Sequence, residues 1–260
     1  MNRKLLFEKI DNHVKNHPEK TAVIHNDIHI TYKQFNNKVN IAAQHILQLT
    51  KGENCIVPIR LKDNLHALIT IFAILKAGAA YLPLPKEITV NKCKEILEDI
   101  DTNFYITDFE TTGYNKVAVH FDELRYPFHK ENWQENVEYS DEFISYIIYT
   151  SGTTGKPKGC VIEDKSLLHR ITTLDTLFPF TKEDNYLFST NYSFDVSVTE
   201  IFGWVLQGGT VTLFHSALEI KDLPSFIYNN NVTHLAFSPS YFRVLFKNKE
   251  NYFRKVKYLL

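Results

Sequence analysis

The densest chemistry in this chain lies in one run of eleven residues, Tyr149-Thr150-Ser151-Gly152-Thr153-Thr154-Gly155-Lys156-Pro157-Lys158-Gly159. Its glycines let the backbone turn tightly and approach a ligand closely. Four hydroxyls, on Thr150, Ser151, Thr153 and Thr154, stand among backbone N–H donors, and Lys156 and Lys158 add positive charge. Donors gathered beside fixed positive charge are what a bound polyphosphate requires. The run is not a Walker A loop: too few residues separate Gly152 from Gly155, and Pro157 stands where Ser or Thr should follow Lys156. No Gly-x-Gly-x-x-Gly fingerprint occurs either. The plain alternative, a Gly/Ser/Thr turn with no ligand, fits a shorter match better than this one.

Other candidates carry plainer readings. Asp195 stands just before a helix-like run, where an acidic residue ordinarily caps the first turn. His25 and His29 have a metal-ligand spacing only on a helix, and here they flank a predicted hairpin. No metal site is expected from these residues.

The elements that must position the glycine-rich run follow from periodicity. Leu6, Ile10 and Val14 predict an opening amphipathic helix that ends near His17-Pro18. Residues 21–24 and 28–30, joined by Asn26-Asp27, predict a hairpin. Thr31 and Gln34 form a capping box for a helix burying Phe35, Val39, Ala42, Ala43 and Ile46. Strand-like runs then fall at 55–59, 80–84, 104–106, 117–121, 143–149, 186–189, 210–214, 233–237 and 256–260. Helix-like runs at 64–76, 88–100, 164–178, 196–206, 223–230 and 239–246 alternate with many of them. This is an α/β pattern of mostly parallel β-sheet flanked by helices, in which ligands bind beyond the carboxyl ends of strands. The glycine-rich run follows the apolar strand 143–149, at such an end. Residues 130–141 read as a polar surface connector.

Residues 149–159 resemble the signature phosphate loop of the AMP-binding (adenylate-forming) superfamily. Leu75-Lys76-Ala77-Gly78-Ala79-Ala80-Tyr81-Leu82-Pro83-Leu84 resembles the second core motif of nonribosomal-peptide-synthetase adenylation domains, and Asn191-Tyr192-Ser193-Phe194-Asp195-Val196-Ser197-Val198-Thr199-Glu200 resembles their Phe-Asp-x-Ser motif. Ile30-Thr31-Tyr32-Lys33-Gln34-Phe35 is a looser match to the first. The resemblance runs over essentially the whole chain, with its motifs in the family order, and implies the large N-terminal domain of the adenylate-forming ligase fold. It implies ATP with Mg2+, an amino-acid substrate activated as its adenylate, and transfer to a phosphopantetheine thiol on a carrier protein. Thr150, Ser151, Gly152, Thr153, Thr154 and Gly155 would cradle the β- and γ-phosphates, with Lys156 and Lys158 beside the leaving pyrophosphate. Lys158 would act in catalysis or would hold the loop. Asp195, in apolar and desolvating surroundings, would pair with the substrate ammonium, the cap being the alternative. Val196, Thr199 and Ala236 would line an uncharged side-chain pocket. Asp164-Lys165-Ser166-Leu167 lacks the Gly-Gly pair of a carrier attachment site.

The sequence departs from the pattern in two ways. Pro83-Leu84-Pro85-Lys86 replaces Pro-Leu-Asp-Pro, and the later motifs for adenine, magnesium, ribose and the mobile C-terminal domain do not occur. Residues 1–260 therefore read as an incomplete adenylation domain, expected to need a complementing C-terminal part for full turnover and to expose a sheet edge near Leu260. A carboxylic-acid ligase without amino recognition, or a non-catalytic nucleotide- or partner-binding remnant, are the alternatives.

Bulk composition narrows partners. Lys plus Arg is 29 against 30 for Asp plus Glu, so nothing attracts nucleic acid or an anionic membrane. Three scattered cysteines, Cys55, Cys93 and Cys160, fit reduced thiols in the cytoplasm rather than a disulfide framework.

Overall fold

The computed structural model describes residues 3–110, 116–126, 137–151, 157–214, 219–247 and 249–260. The chain runs α1 (Lys4–Asn16), β1 (Thr21–His25), β2 (Ile28–Thr31), α2 (Tyr32–Thr50), β3 (Ile56–Arg60), α3 (Asn64–Lys76) and β4 (Ala80–Pro83). It continues through α4 (Val90–Glu98), β5 (Phe104–Thr107), β6 (Val117–His120), β7 (Ile144–Ser151), β8 (Pro157–Glu163) and α5 (Asp164–Leu177). The remainder is β9 (Asn185–Phe188), α6 (Ser197–Phe202), β10 (Thr210–Leu213), α7 (Leu223–Asn229), β11 (His234–Leu235), α8 (Pro239–Phe246) and β12 (Tyr258–Leu259). Of the polar connector, residues 130–136 lie outside the described residues.

Two compact units result, Met1–Phe7 with Asn36–His169, and Glu8–Phe35 with Arg170–Leu260. Each holds one six-stranded sheet, ordered β6-β5-β3-β4-β7-β8 in the first and β12-β11-β9-β10-β1-β2 in the second. Every pairing is parallel except β7 with β8 and β1 with β2, each an antiparallel pair at one edge of its sheet. The mostly parallel reading holds, in two sheets.

Local signals account for several elements. Asn26 and Asp27 take positive φ of 49° and 64°, the left-handed pair a two-residue hairpin turn needs. The capping box forms as expected: Gln34 N–H donates to Thr31 Oγ1 at 3.2 Å and Thr31 N–H to Gln34 Oε1 at 3.0 Å. Asp63 caps α3, accepting from the N–H groups of Leu65 and His66 at 2.7 and 3.2 Å. That helix is buried on all sides from Ala67 to Lys76. It ends in a Schellman motif, with Ala79 N–H on Ile74 O and Gly78 N–H on Leu75 O, both at 3.1 Å. Gly78 supplies the required positive φ of 84°, and a Cβ there would lie 2.8 Å from Val137.

Two differences from the sequence-based expectation matter. The strand β8 was not expected, because four consecutive residues, Lys158 to Val161, are exposed and show no alternation. The predicted helix 196–206 stops at Phe202, after which Gly203 packs on the Tyr186 ring and Gly208 turns the chain at φ 73°.

In the first unit Arg3 and Asp164, both fully buried, hold the base of the β7–β8 hairpin. Arg3 Nε lies 2.6 Å from Asp164 Oδ2, while Nη1 donates to Ala79 O at 2.5 Å and Nη2 to Ile144 O at 2.6 Å. Ser145 Oγ donates to the same carboxylate. One guanidinium thus ties the start of β4, the start of β7 and the start of α5 to the first residues of the chain. Because removing one partner strands a buried charge, Arg3→Met is expected to lower stability by about 3–5 kcal/mol. The double variant Arg3→Met/Asp164→Leu should recover part of that loss. Urea unfolding midpoints with an unchanged m-value test this, and a loss under about 1 kcal/mol for the single variant would contradict it.

Candidate active site

The glycine-rich run is not one continuous loop. Thr150 and Ser151 close β7, and Pro157, Lys158 and Gly159 open β8, in register Tyr149↔Gly159, Thr150↔Lys158 and Ser151↔Pro157. Gly152, Thr153, Thr154, Gly155 and Lys156 lie outside the described residues. Residues directly opposite in an antiparallel pair share a face, so Thr150 and Lys158 lie on one face near the end of the paired strands, with the Thr150 hydroxyl donating to Lys158 O at 3.5 Å. Both are exposed, and Lys158 makes no ion pair or hydrogen bond through its ammonium among the described residues. Gly159 serves cross-strand packing rather than the turn: an added Cβ would lie 2.9 Å from Ile147 and 3.2 Å from the Tyr149 ring. Tyr149 points to the opposite face, where its hydroxyl donates to Asp99 Oδ2 at 2.5 Å. Burial first, and the Asp99 carboxylate second, push that phenol's pKa up.

The second unit carries Asp195 in a turn between β9 and α6. Asn191 Oδ1 accepts from Ser193 N–H and Oγ at 3.1 and 3.0 Å, and Ser197 Oγ donates to Phe194 O at 2.6 Å. Successive backbone bonds from Ser197, Val198 and Thr199 to Phe194, Asp195 and Val196 wind the chain tightly into α6. Asp195 is therefore fixed through its backbone. Its side chain differs from both sequence expectations. It does not cap α6: the capping position is Val196, with no side-chain cap bond. Nor is it desolvated, since Phe194, Asp195 and Val196 are all exposed. Its carboxylate makes no hydrogen bond or ion pair among the described residues. Thr199, another predicted substrate residue, lies within α6. It is buried, and its hydroxyl accepts from Arg170 Nη2 at 3.3 Å. Ala236 is buried just beyond β11. Of the predicted substrate residues only Thr199 lines a cavity of about 20 Å³, together with Tyr186, Gly203 and His234.

Three side chains here escape sequence-based reasoning. Arg170 sits among the ordinary charged positions of α5 and gives no signal. Tyr186 has the pattern of strand core, yet its buried hydroxyl has no hydrogen-bond partner. Glu200 leaves one trace, as an acid inside an apolar helix. Fully buried, it accepts from Ser189 N–H (3.2 Å), Thr190 N–H (2.9 Å) and Thr190 Oγ1 (2.8 Å), clamping the end of β9 to α6.

A sequence model described as AMP-binding enzyme matches residues 10–260. The chain belongs to this family. Its AMP-binding sequence is 33% identical over 243 residues to a linear gramicidin synthase of Brevibacillus parabrevis, covering 91% of this chain and 5% of that protein. It is 33% identical over 232 residues to zwittermicin A synthase ZmaJ of Bacillus cereus, covering 86% of this chain and 43% of that protein. The AMP-binding fold superposes on the N-terminal subdomain of Klebsiella oxytoca NpsA in complex with 3-hydroxyanthranilyl-AMSN with a TM-score of 0.85, at 23% identity, over 97% of this chain and 64% of that one. For O-succinylbenzoate coenzyme A synthetase of Bacillus subtilis, in complex with AMP, the TM-score is 0.82 at 21% identity, over 98% and 66% of the two chains. The chain thus spans less than half of either of these curated relatives and about two thirds of these two solved neighbours. Among the described residues no helix is long and apolar enough to cross a membrane.

Glu200 gives this site a pH signature. Complete burial raises its pKa from 4.5 to about 8, against the three donated hydrogen bonds that pull it down. The folded state thus disfavours the anion. Its contribution to stability is fully present below about pH 4.5, falls as pH rises, and is exhausted above about pH 8. Glu200→Gln, which cannot ionise, should gain stability relative to the parent chain as pH rises from 5 to about 8, with no further gain above it. Chemical unfolding of both proteins across that range measures the difference, and a pH-independent difference would contradict the assignment.

Proposed function

We propose that this chain forms the N-terminal part of an enzyme that activates an amino acid as its aminoacyl adenylate and passes the acyl group to a phosphopantetheine thiol on a carrier protein. One observation carries the amino-acid reading: Asp195 presents an exposed, unpaired carboxylate from a turn whose backbone is fixed by hydrogen bonds on either side. Family membership supports adenylate formation in general. The relatives' names support peptide-synthetase chemistry.

In this reading a substrate carboxylate oxygen attacks the α-phosphorus of ATP, and the bond to the bridging oxygen breaks to release pyrophosphate. A carrier thiol then attacks the acyl carbon, losing its proton as AMP leaves. Such steps depend on positioning and on charge stabilisation. Lys158 and Thr150, sharing one face at the hairpin's tip, would meet the β- and γ-phosphates together with Ser151, Gly152, Thr153, Thr154, Gly155 and Lys156. Lys158 would carry positive charge to the departing pyrophosphate. Among the described residues no group of three His, Cys, Asp or Glu side chains gathers for a metal ion. Mg2+ brought with ATP would supply further positive charge to the phosphates. Asp195 would take the ammonium, which replaces water around its carboxylate when substrate seats. Val196, Thr199 and Ala236 would contribute to side-chain recognition.

The test compares stable acyl-adenylate mimics, acyl sulfamoyl adenosines with and without the α-amino group, by calorimetric titration of the chain. Losing one partner of a desolvated charge pair costs about 2–5 kcal/mol, so Asp195→Ala should weaken the aminoacyl mimic at least about 30-fold. The des-amino mimic should change less than about threefold. Equal losses for both would favour a carboxylic-acid ligase without amino recognition. Binding of neither mimic by the parent chain would overturn the proposal.

A further inference from the structure

A cavity of about 370 Å³ opens in the first unit between α2, α3 and the 3-10 turn Phe121–Arg125 that follows β6. Its volume falls within the range of about 300–1,000 Å³ usual for small-molecule pockets. None of its lining residues has a role in the proposed adenylation chemistry. Six apolar side chains line it: Ile41 and Ala42 from α2, Leu65 and Ile69 from α3, and Phe121 and Leu124 from the turn. The polar lining is one-sided in charge. It consists of Asn37 and three bases, Lys38, His66 and Arg125, with no acid.

Two of the three bases already have carboxylate partners. Asp108 accepts from His66 Nδ1 at 3.0 Å and from the N–H groups of Lys62 and Asp63 at 2.7 and 3.4 Å. Asp122 Oδ1 accepts from Arg125 Nη1 at 2.9 Å. Lys38 is exposed, and its ammonium makes no hydrogen bond or ion pair among the described residues. The Asn37 amide is likewise uncommitted among them. The walls are fixed in advance. The His66 ring stacks on Phe121 with centroids 3.9 Å apart and 22° between the planes. Glu123 Oε1 accepts from His120 N–H at 2.7 Å where the turn starts, and His45 Nε2 lies 2.8 Å from Tyr126 O where it ends. A ligand entering walls already ordered loses less entropy on binding.

We infer that this cavity is a binding site for a small organic acid, a carboxylate monoanion with an apolar body. Its carboxylate accepts from the Lys38 ammonium, from the Asn37 amide and from N–H groups of Arg125 that Asp122 does not use. An arginine side chain has five such donors, so the pair with Asp122 leaves several. The apolar body covers Ile41, Ile69 and Phe121 and removes them from water. One base without a counter-ion matches one negative charge. An inorganic anion would leave the apolar lining wet, and a neutral apolar molecule would gain nothing from the bases. The inference uses neither Asp195 nor Lys158 and stands independently of the adenylation reading.

The experiment is a calorimetric titration of the chain with 4-phenylbutyrate, with its neutral analogue 4-phenylbutanamide, and with inorganic phosphate as competitor. The acid should bind at one site with a Kd of about 1 mM or lower, and the amide at least about fivefold more weakly. Phosphate should not displace the acid. Lys38→Gln should weaken the acid about fivefold while leaving the amide within about twofold. Ile41→Trp, which fills the cavity from a half-buried position, should abolish binding of both. Melting is measured for each variant, and the exposed Lys38 carries the test should Ile41→Trp not fold. Lys158→Gln should leave both affinities within about twofold. A loss on Lys158→Gln equal to that on Lys38→Gln would put the acid at the phosphate hairpin and overturn the inference. No saturable binding of the acid, equal affinity for acid and amide, or full displacement by phosphate would also overturn it. None of these outcomes involves an adenosine mimic, so each leaves the adenylation reading standing.

Discussion

Two charges with no access to water, Arg3 and Asp164, set the geometry on which the first unit depends. Moving such ions out of water costs several kcal/mol each, and their attraction offsets this only where the remaining donors and acceptors are also satisfied. Here they are. The guanidinium closes the carbonyls of Ala79 and Ile144, and Ser145 completes the carboxylate. The carbonyl of Ala79 leads out of the Schellman turn into β4, and Ile144 begins β7. The strand that leads to the glycine-rich run therefore starts from an anchored point, and the helix after β8 begins on the other half of the same pair. Apolar packing of Leu82, Ile96, Leu97, Tyr105 and Ile147 then fills the space beneath α4.

The second unit solves a similar problem with one buried acid. Glu200 gathers two backbone N–H groups and a hydroxyl at the end of β9, which holds the following turn against α6. The residue with proposed chemistry, Asp195, is left outside that clamp with its charge uncommitted among the described residues. Rigid support behind free functional groups is the arrangement expected of a binding site, since ordering the groups beforehand lowers the entropy lost when ligand arrives.

Much of this is legible in the residues. The hairpin at Asn26-Asp27, the Thr31–Gln34 box and the Gly78 turn each depend on a few neighbouring side chains, and local chemistry specifies them. The site motifs are legible for the same reason: glycines, hydroxyls and lysines close in sequence. What stays hidden depends on long-range burial. The strand β8 has an exposed face pattern that periodicity cannot see. Arg3 and Asp164 are 161 residues apart, and neither type suggests burial in isolation. The apolar neighbours of Asp195 suggest a desolvated carboxylate, yet Phe194 and Val196 are 61% and 42% exposed. Adjacent residues in a chain need not surround one another in space.

The antiparallel register of β7 and β8 has a consequence for how this chain can vary. Side chains on a strand alternate faces with a period of two, so a slip of one residue turns every side chain over. Seven pairs, from Ile144↔Glu163 to Ser151↔Pro157, hold the present alignment. Were an inserted or deleted residue between Ser151 and Pro157 to be absorbed by sliding β8, Lys158 would leave the face of Thr150. Gly159 would also give up its place against the Tyr149 ring to a residue with a Cβ. The present face of Lys158 thus depends on any change in length being taken up between the two strands rather than along their register.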